Sequence, residues 1–230
     1  GRRFRWKALP QGSNPTGAYI PVARVADMLL DPGAEFDFDG LRLNYPDIRL
    51  VYWAGGNPFH HHQDLNRLVS AWQRPDTVIV HEPWWTPVAR HADIVFPATT
   101  AQERDDMCMS SHDPFAHAMH QVIEPQCDAR SDFEIFAALA ERLGHGDTFT
   151  EGRDAAAWMR HLWDLSRKRA VEDGFELPEF EEFWEAGVYE LPPPDERRGW
   201  LADFRRDPVA HPLATPSGRI EIFSDLIDAF

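Results

Sequence analysis

RLVYWAGGNPFHHHQDLNRLVSAWQRPDTVIVHEPWWTPVARHADIVF (Arg49–Phe96) holds three short apolar runs with helix-forming sequence between them. Arg49–Ala54 (RLVYWA) is a β-type run that breaks at Gly55-Gly56-Asn57-Pro58. From about His62 to Trp72, the apolar residues Leu65, Leu68, Val69 and Trp72 share one helical face. Thr77–Val80 (TVIV) supplies a second strand. Thr86 then stands at a helix N-cap position with Pro87 at the first helical position. Asp93–Phe96 (DIVF) supplies a third strand. Strand, loop and helix alternating at this pitch predict an α/β fold, a parallel sheet covered by helices.

The opening up to about Pro15 is expected to be irregular. Ile20–Leu30 has helical spacing at Val22, Val25, Ala26, Leu29 and Leu30, and Asp31-Pro32-Gly33 ends it. On the other side, Thr100 to Ser131 reads as loop. Asp132–Leu143 is predicted as a helix capped by Ser131, striped by Phe133, Phe136, Ala137 and Ala140, and stopped by Gly144. Asp154–Glu172 is predicted as a longer helix with Trp158, Leu162 and Leu165 inward. Pro192-Pro193-Pro194 is the strongest linker signal, and Pro208, Pro212 and Pro216 are expected to keep the next stretch extended. Arg219–Phe230 begins a new alternating run at Ile220 and Ile222. With Gly1 in place of Met, no signal peptide and this unpaired final run, both ends are expected to be cut from a longer chain.

The 230 residues suit one large domain or one and a half. Hydrophobic residues at 43% and nine Trp are enough for a core, which argues against intrinsic disorder. The formal charge of −15 repels phosphate backbones, so a nucleic-acid partner is not expected. Arg2, Arg3, Arg5 and Lys7 read as a solvated run. No apolar run approaches the roughly 20 residues of a membrane helix, so no membrane span is expected. Cys108 and Cys127 form no CxxC pair and no disulfide framework, and are expected to be buried or idle thiols.

The strand–glycine–helix unit from Leu50 to Trp72 places backbone N–H groups at a helix N-terminus, which favours an anion, although Gly-Gly after a strand is also an ordinary turn. Glu82, immediately after Thr77–Val80, stands where dinucleotide folds hold a ribose hydroxyl or a base edge. The spacing exceeds the usual ~20 residues, GGNP is not GxGxxG, and a solvated strand-end acid fits equally. His60-His61-His62 with Gln63 and Asp64 suggests a metal, but neighbouring side chains point apart and no second cluster completes a site. His60 and Asp64 could face each other across one helical turn. Imidazoles and an amide donating to phosphate fit better. His91, Asp93 and Ser110–Ser111 form a triad only on paper, without a nucleophile elbow.

VYWAGGNPFHHHQDLNRL (Val51–Leu68) and VIVHEPWWTPVARHADIVFPATTAQERDD (Val78–Asp106) together resemble the dimethyl sulfoxide reductase family, closest to its trimethylamine N-oxide and biotin sulfoxide reductases. IPVARVADMLLDPG (Ile20–Gly33), SDFEIFAALAERLG (Ser131–Gly144) and FRRDPVAHPLATPSGRIEIFS (Phe204–Ser224) are similar to the same group in the same order. The resemblance implies an internal part of a molybdenum enzyme that reduces S-oxides or N-oxides. It implies a bis(molybdopterin guanine dinucleotide) cofactor and an electron donor, a cytochrome or other reductant. Residues 1–210 would be most of the third, α/β domain, with helices on both faces of its sheet. Residues 211–230 would open a C-terminal β-barrel.

The resemblance carries over Gly56 and Asn57 of GGNP, and His61 and Gln63 of HHHQ, as pterin or phosphate contacts. It carries over His81 and Glu82 as the strand-end pair that reads the guanosine, and Arg104 and Asp132 as further nucleotide contacts. No catalytic or metal-ligating residue is implied here, since the molybdenum ligand belongs to an earlier domain; the chain alone is expected to be inactive. For the whole protein the resemblance favours the periplasm over the cytoplasm. Met107-Cys108-Met109 departs from the family's glycine-containing run after ERDD, which leaves the local loop shape open. A non-enzymatic nucleotide-binding module using the GGNP loop and Glu82 is the alternative from another class, and a histidine-built metal or hydrolytic protein is a third.

Overall fold

A proline at position 21 pushes Ile20 out of helical backbone, so the helix expected from Ile20 starts late. In a computed structural model, which describes residues 4–14, 16, 19–193 and 199–228, Val22–Arg24 winds as a 3-10 turn before α1 (Val25–Leu30). Arg2, Arg3, Pro15, Pro194 and Phe230 lie outside the described residues. β1 (Glu35–Phe38) and β2 (Leu41–Asn44) form a hairpin beyond the elements expected. It is closed at Asp39-Gly40 with φ of 50° and 73°, the backbone that lets a two-residue turn follow the strand twist.

The central unit is β3 (Leu50–Ala54), α2 (Pro58–His61), α3 (Leu65–Trp72), β4 (Thr77–Glu82), α4 (Pro87–Arg90) and β5 (Ile94–Pro97). Its three strands are parallel in the order β3-β4-β5, with Trp53 opposite Val80 and Val80 opposite Val95. Period-2 alternation gives the sheet two faces. Val51, Trp53, Val78, Val80 and Val95 pack with Ala26 and Leu29 of α1, Leu68, Ala71 and Trp72 of α3, and Val88 and Ala89 of α4. On the opposite face, Tyr52 and His81 pack against Phe136 of α5 (Asp132–Arg142), with ring centroids 5.5 and 4.8 Å away. Helices therefore cover both faces, as expected.

Two boundaries differ from expectation at the place that matters most. The helix predicted over His62–Trp72 starts later, as α3 at Leu65, and a separate short helix, α2, precedes it across extended backbone at His62 (φ −87°, ψ 143°). Each has its own cap: Asn57 accepts from the Phe59 N–H at 3.1 Å, and Asp64 from the Arg67 N–H at 3.0 Å. A side-chain acceptor at a helix start satisfies an orphan donor, so two caps specify two starts. β4 also runs on through His81 and Glu82, which are therefore its last residues and do not follow it.

The stretch expected as loop from Thr100 to Ser131 instead contains β6 (Asp106–Met109) and β7 (Phe115–Met119). They join β8 (Val188–Glu190) in a second, antiparallel sheet, Ala116 pairing with Tyr189. Neither strand has a strong local pattern; β6 and β7 pair with each other as a hairpin, and β7 is held on its other edge by β8, far along the chain. This sheet is covered by α7 (Ala155–Glu172) and α8 (Phe180–Ala186), after the short α6 (Gly146–Thr150). Their core is aromatic: Phe4, Trp163, Phe175, Phe180 and Phe183 with Ala116 and Leu191. The irregular opening is thus anchored, for Phe4 is buried and the Lys7 N–H donates to Ser166 Oγ at 3.0 Å.

Helix faces are shifted from expectation. In α5 the buried residue is Ile135, while Phe133, Phe136, Ala137 and Ala140 are half-buried. In α7 Trp158 is buried as expected, but Trp163, Ser166 and Ala170 complete the closed face. Leu162 borders a cleft and is half-buried, as is Leu165. Residues 207–218, expected to be extended, form turns after α9 (Ala202–Arg206), because their prolines set φ without forcing a strand. No strand forms at Ile220 or Ile222 among the described residues; both are exposed, and α10 (Asp225–Asp228) follows. A lone extended segment has no ladder to satisfy its backbone. No helix among the described residues is long and apolar enough to cross a membrane.

Candidate functional site

Because β3 and β4 are parallel with Ala54 opposite His81, the Gly55-Gly56-Asn57 turn and Glu82 emerge at the same C-terminal sheet edge. In an open parallel sheet that edge is where ligands gather. Gly55 and Gly56 have φ of +84° and +73°, and a Cβ on either would meet nothing within 4 Å, so the backbone there faces open space. The glycines are needed for the left-handed turn, and their bareness leaves the chain approachable. Asn57 is buried, with its Oδ1 spent on the α2 cap. Among the described residues its buried Nδ2 has no hydrogen-bond partner, and neither has the buried Nε2 of His62. Buried donors are almost always satisfied, so an orphan amide beside an open glycine turn suits an acceptor supplied by a ligand.

The other expected residues fall into two groups. His61 and Gln63 are exposed on either side of the break between α2 and α3. Glu82, half-buried at the sheet edge, accepts from the Thr86 hydroxyl at 2.9 Å. Thr86 thus serves twice, since its Oγ1 also caps α4 by accepting from the Ala89 N–H at 3.5 Å. Arg104 and Asp132 instead line a cleft of about 1250 Å³, along with Trp6, Met107, Met109 and Trp158. Arg104 is already engaged: Nη1 donates to the Thr99 carbonyl at 3.0 Å, and Nε and Nη2 to Asp106 at 3.2 and 3.1 Å.

One hydrogen bond joins the two groups. His81 Nδ1 lies 2.7 Å from Asp132 Oδ1, and its Nε2 lies 2.7 Å from the Tyr52 hydroxyl. The His81 side chain is 1% exposed and that of Asp132 is 52% exposed. His81 was expected as a guanosine contact; its ring is sealed, and the exposed member of the pair is Asp132. Tyr52 was not anticipated. Its partner lies on the neighbouring strand, and only the register, which places Tyr52 beside Ile79 on the face that His81 shares, brings them together.

Other candidates have plain structural roles. Asp93 Oδ2 accepts from the Val78 N–H at 2.8 Å, tying β4 to the start of β5. His91 stacks on Phe59 at 4.7 Å, with Nδ1 2.7 Å from the Pro87 carbonyl. Asp64 is a helix cap, and the break at His62 removes the single-helix turn on which His60 and Asp64 would face each other. Among the described residues no group of three or more His, Cys, Asp or Glu is placed to hold a metal ion. Cys108 and Cys127 are free and exposed rather than buried.

Glu103, on the cleft wall, is more consequential than its place in ERDD suggested. It is buried and accepts from the Thr100 N–H at 2.7 Å, the Thr100 hydroxyl at 2.8 Å and the Gln126 N–H at 2.8 Å. The backbone bonds from Thr100 and Gln126, then the Thr100 hydroxyl, hold its carboxyl below the ordinary 4.5. A depressed folded value means stabilisation present above the ordinary range and lost as pH falls through the folded value. The stability gap between wild type and Glu103→Gln, read from urea midpoints, is therefore expected to narrow as pH is lowered through that window. A gap unchanged by acid would remove this role from Glu103.

The molybdopterin oxidoreductase family model matches residues 4–142. The chain is 52% identical over 219 residues to a biotin sulfoxide reductase of Cereibacter sphaeroides, covering 94% of this chain and 29% of that protein. It is 50% identical to a dimethyl sulfoxide/trimethylamine N-oxide reductase of Rhodobacter capsulatus, covering 91% of this chain and 26% of that protein. A trimethylamine-N-oxide reductase of Haemophilus influenzae is 45% identical, with the same coverage of 91% and 26%. The chain thus spans between a quarter and three tenths of the length of these relatives. Among solved structures, the acetylene hydratase of Pelobacter acetylenicus shares the fold, with a TM-score of 0.51, 23% identity, and coverage of 80% of this chain and 23% of that one.

Proposed function

The chain belongs to the molybdopterin oxidoreductase family, and on that premise we propose that it is the part of an S-oxide or N-oxide reductase that grips one guanine dinucleotide arm of a bis(molybdopterin guanine dinucleotide) cofactor. The observation that carries this is the buried, unpartnered Asn57 amide beside the bare Gly55-Gly56 turn. It shares the sheet edge with Glu82 and the His81–Asp132 pair. The names of the relatives, biotin sulfoxide and dimethyl sulfoxide/trimethylamine N-oxide reductases, support the choice of oxide.

Bound in the whole protein, the molybdenum group would supply two-electron oxygen-atom transfer from the oxide. This chain's share is to bind and orient. Asn57 Nδ2 donates to a phosphate or pterin acceptor, with His61 and Gln63 as further donors beside it. Glu82 and Asp132 offer carboxylates, and a carboxylate can accept from both N1–H and N2–H of guanine, a donor pair that adenine lacks. Arg104, held by Asp106 and the Thr99 carbonyl, still has an unspent Nη2 N–H with which to donate to the nucleotide. The same reading takes residues 1–210 as most of the third domain and 211–230 as the entry to a β-barrel. It gives the whole protein an electron donor, a cytochrome or other reductant, and favours the periplasm over the cytoplasm as its site of action.

In the full-length reductase, Asp132→Ala and Glu82→Ala are each expected to lower bound molybdenum and guanine. Losing one charge-assisted hydrogen bond weakens retention by about 1.5–3 kcal/mol. Unchanged contents in both variants would sink the assignment.

A further inference from the structure

Tyr52, His81 and Asp132 form a directed chain of hydrogen bonds from the inside of the sheet to the cleft wall. As a carboxylate, Asp132 only accepts, so the proton of the 2.7 Å contact sits on His81 Nδ1. In the neutral ring, Nε2 is then the acceptor, and the 2.7 Å contact from Tyr52 is an O–H donation. Burial first, and then the negative charge of Asp132, push the Tyr52 hydroxyl above the ordinary phenol range, so it keeps the proton it donates. The ring is fixed in place by aromatic contacts on three sides: Tyr52 at 5.3 Å, Phe96 at 5.7 Å and Phe136 at 4.8 Å. Tyr52 in turn stacks on Phe136 at 5.5 Å.

The exposure gradient assigns the roles. With 1% of its side chain exposed and both ring nitrogens engaged, His81 presents no ring donor or acceptor to a ligand. Asp132, 52% exposed at the start of α5, spends only Oδ1 on His81. Its Oδ2 has no hydrogen bond to the described residues. An isolated exposed aspartate samples several rotamers, and ordering it on binding opposes affinity. A histidine that is itself locked removes that freedom beforehand, as supporting hydrogen bonds do around metal ligands.

We propose that Tyr52 and His81 are positioning residues that act through Asp132, holding its carboxylate in one orientation with one oxygen free for the nucleotide. This rests on the reading of Asp132 as a nucleotide contact given above.

The test uses the full-length, cofactor-loaded protein with Tyr52→Phe, Asp132→Ala and the double variant. Tyr52→Phe removes one oxygen and keeps the ring stacked on Phe136. Guanine and molybdenum retained per polypeptide are measured after dialysis, alongside the unfolding midpoint. Asp132→Ala is expected to lower retention, and Tyr52→Phe to lower it by about 3–10-fold, the worth of one hydrogen bond. In the Asp132→Ala background, Tyr52→Phe is expected to change retention no further, because the residue through which it acts is gone. In protein labelled with 15N-histidine, the His81 signals, identified by their loss in His81→Gln, should show one protonated and one acceptor nitrogen. The acceptor line should move on Tyr52→Phe and the protonated line on Asp132→Ala. A tyrosine that merely packs would lower the unfolding midpoint in both backgrounds and leave the Nε2 line in place. Retention indifferent to Tyr52→Phe, or equally reduced with and without Asp132, overturns the relay while leaving Asp132 as a contact. Retention indifferent to Asp132→Ala removes the contact itself, and the relay with it.

Discussion

Trp163→Ala is expected to destabilise the fold by about 3–5 kcal/mol, the range for deleting a large buried aromatic side chain. Trp163 has no solvent exposure and sits at the centre of the aromatic core beneath the antiparallel sheet. Its ring stacks on Phe183 at 3.9 Å and on Trp6 at 5.7 Å. Its Nε1 donates to the Pro178 carbonyl at 2.9 Å, so the variant strips an acceptor as well as opening a cavity. Total stabilities of domains are about 5–15 kcal/mol, so this one change removes a large fraction. Trp163→Phe keeps a ring against Phe183 and loses chiefly the hydrogen bond and part of the volume. It should therefore fall well short of the alanine variant. Urea unfolding followed by far-UV circular dichroism gives both values. An alanine variant within about 1 kcal/mol of wild type, the level of an ordinary substitution, would mean that Trp163 is not the keystone of this core.

The second large effect is an absence: the 230-residue chain, expressed by itself with molybdate, is expected to retain no stoichiometric molybdenum and to reduce no oxide. The described residues contain no cluster of three or more His, Cys, Asp or Glu able to hold the metal. The soft ligand to consider is Cys108, since a thiolate suits such a metal. It lies in β6 between Met107 and Met109, which line the cleft while Cys108 does not. Successive strand residues point to opposite faces, so Cys108 is directed away from the Arg104–Asp132 wall. On the function proposed above, a grip on one arm is also left without the partner domains that would bury the cofactor, and binding weakens when burial and preorganisation are lost. The measurements are bound molybdenum and reduction of trimethylamine N-oxide and dimethyl sulfoxide by reduced viologen dye. Stoichiometric metal with turnover that vanishes in Cys108→Ala would reverse this account and make Cys108 the ligand. The expected outcome is neither in the fragment, and activity in the full-length protein.

From the residues alone came the features whose causes are local. The apolar runs at Arg49–Ala54, Thr77–Val80 and Asp93–Phe96, with the glycine break after the first, specify the parallel sheet, because period, turn residue and cap all lie within a few positions of one another. Ser131 before Asp132 and Thr86 before Pro87 mark helix starts for the same reason. The ordered blocks from Ile20 to Ser224 were enough for the family. Tertiary structure alone decided what depends on distant partners. β7 and β8 pair across a long sequence separation, and that pairing, not a local pattern, extends the β6–β7 hairpin into a sheet. The buried face of α7 runs through Trp163, Ser166 and Ala170 because a second sheet and α8 close over it, leaving Leu162 on the cleft. His81 is sealed and Asp132 exposed because strand register sets Tyr52 on the same face and α5 brings its first residue to the ring. A hydrogen bond between residues 51 positions apart leaves no trace in either neighbourhood. Which carboxylate is left open to the cleft, and which ring is sealed behind it, is therefore a property of the packed molecule.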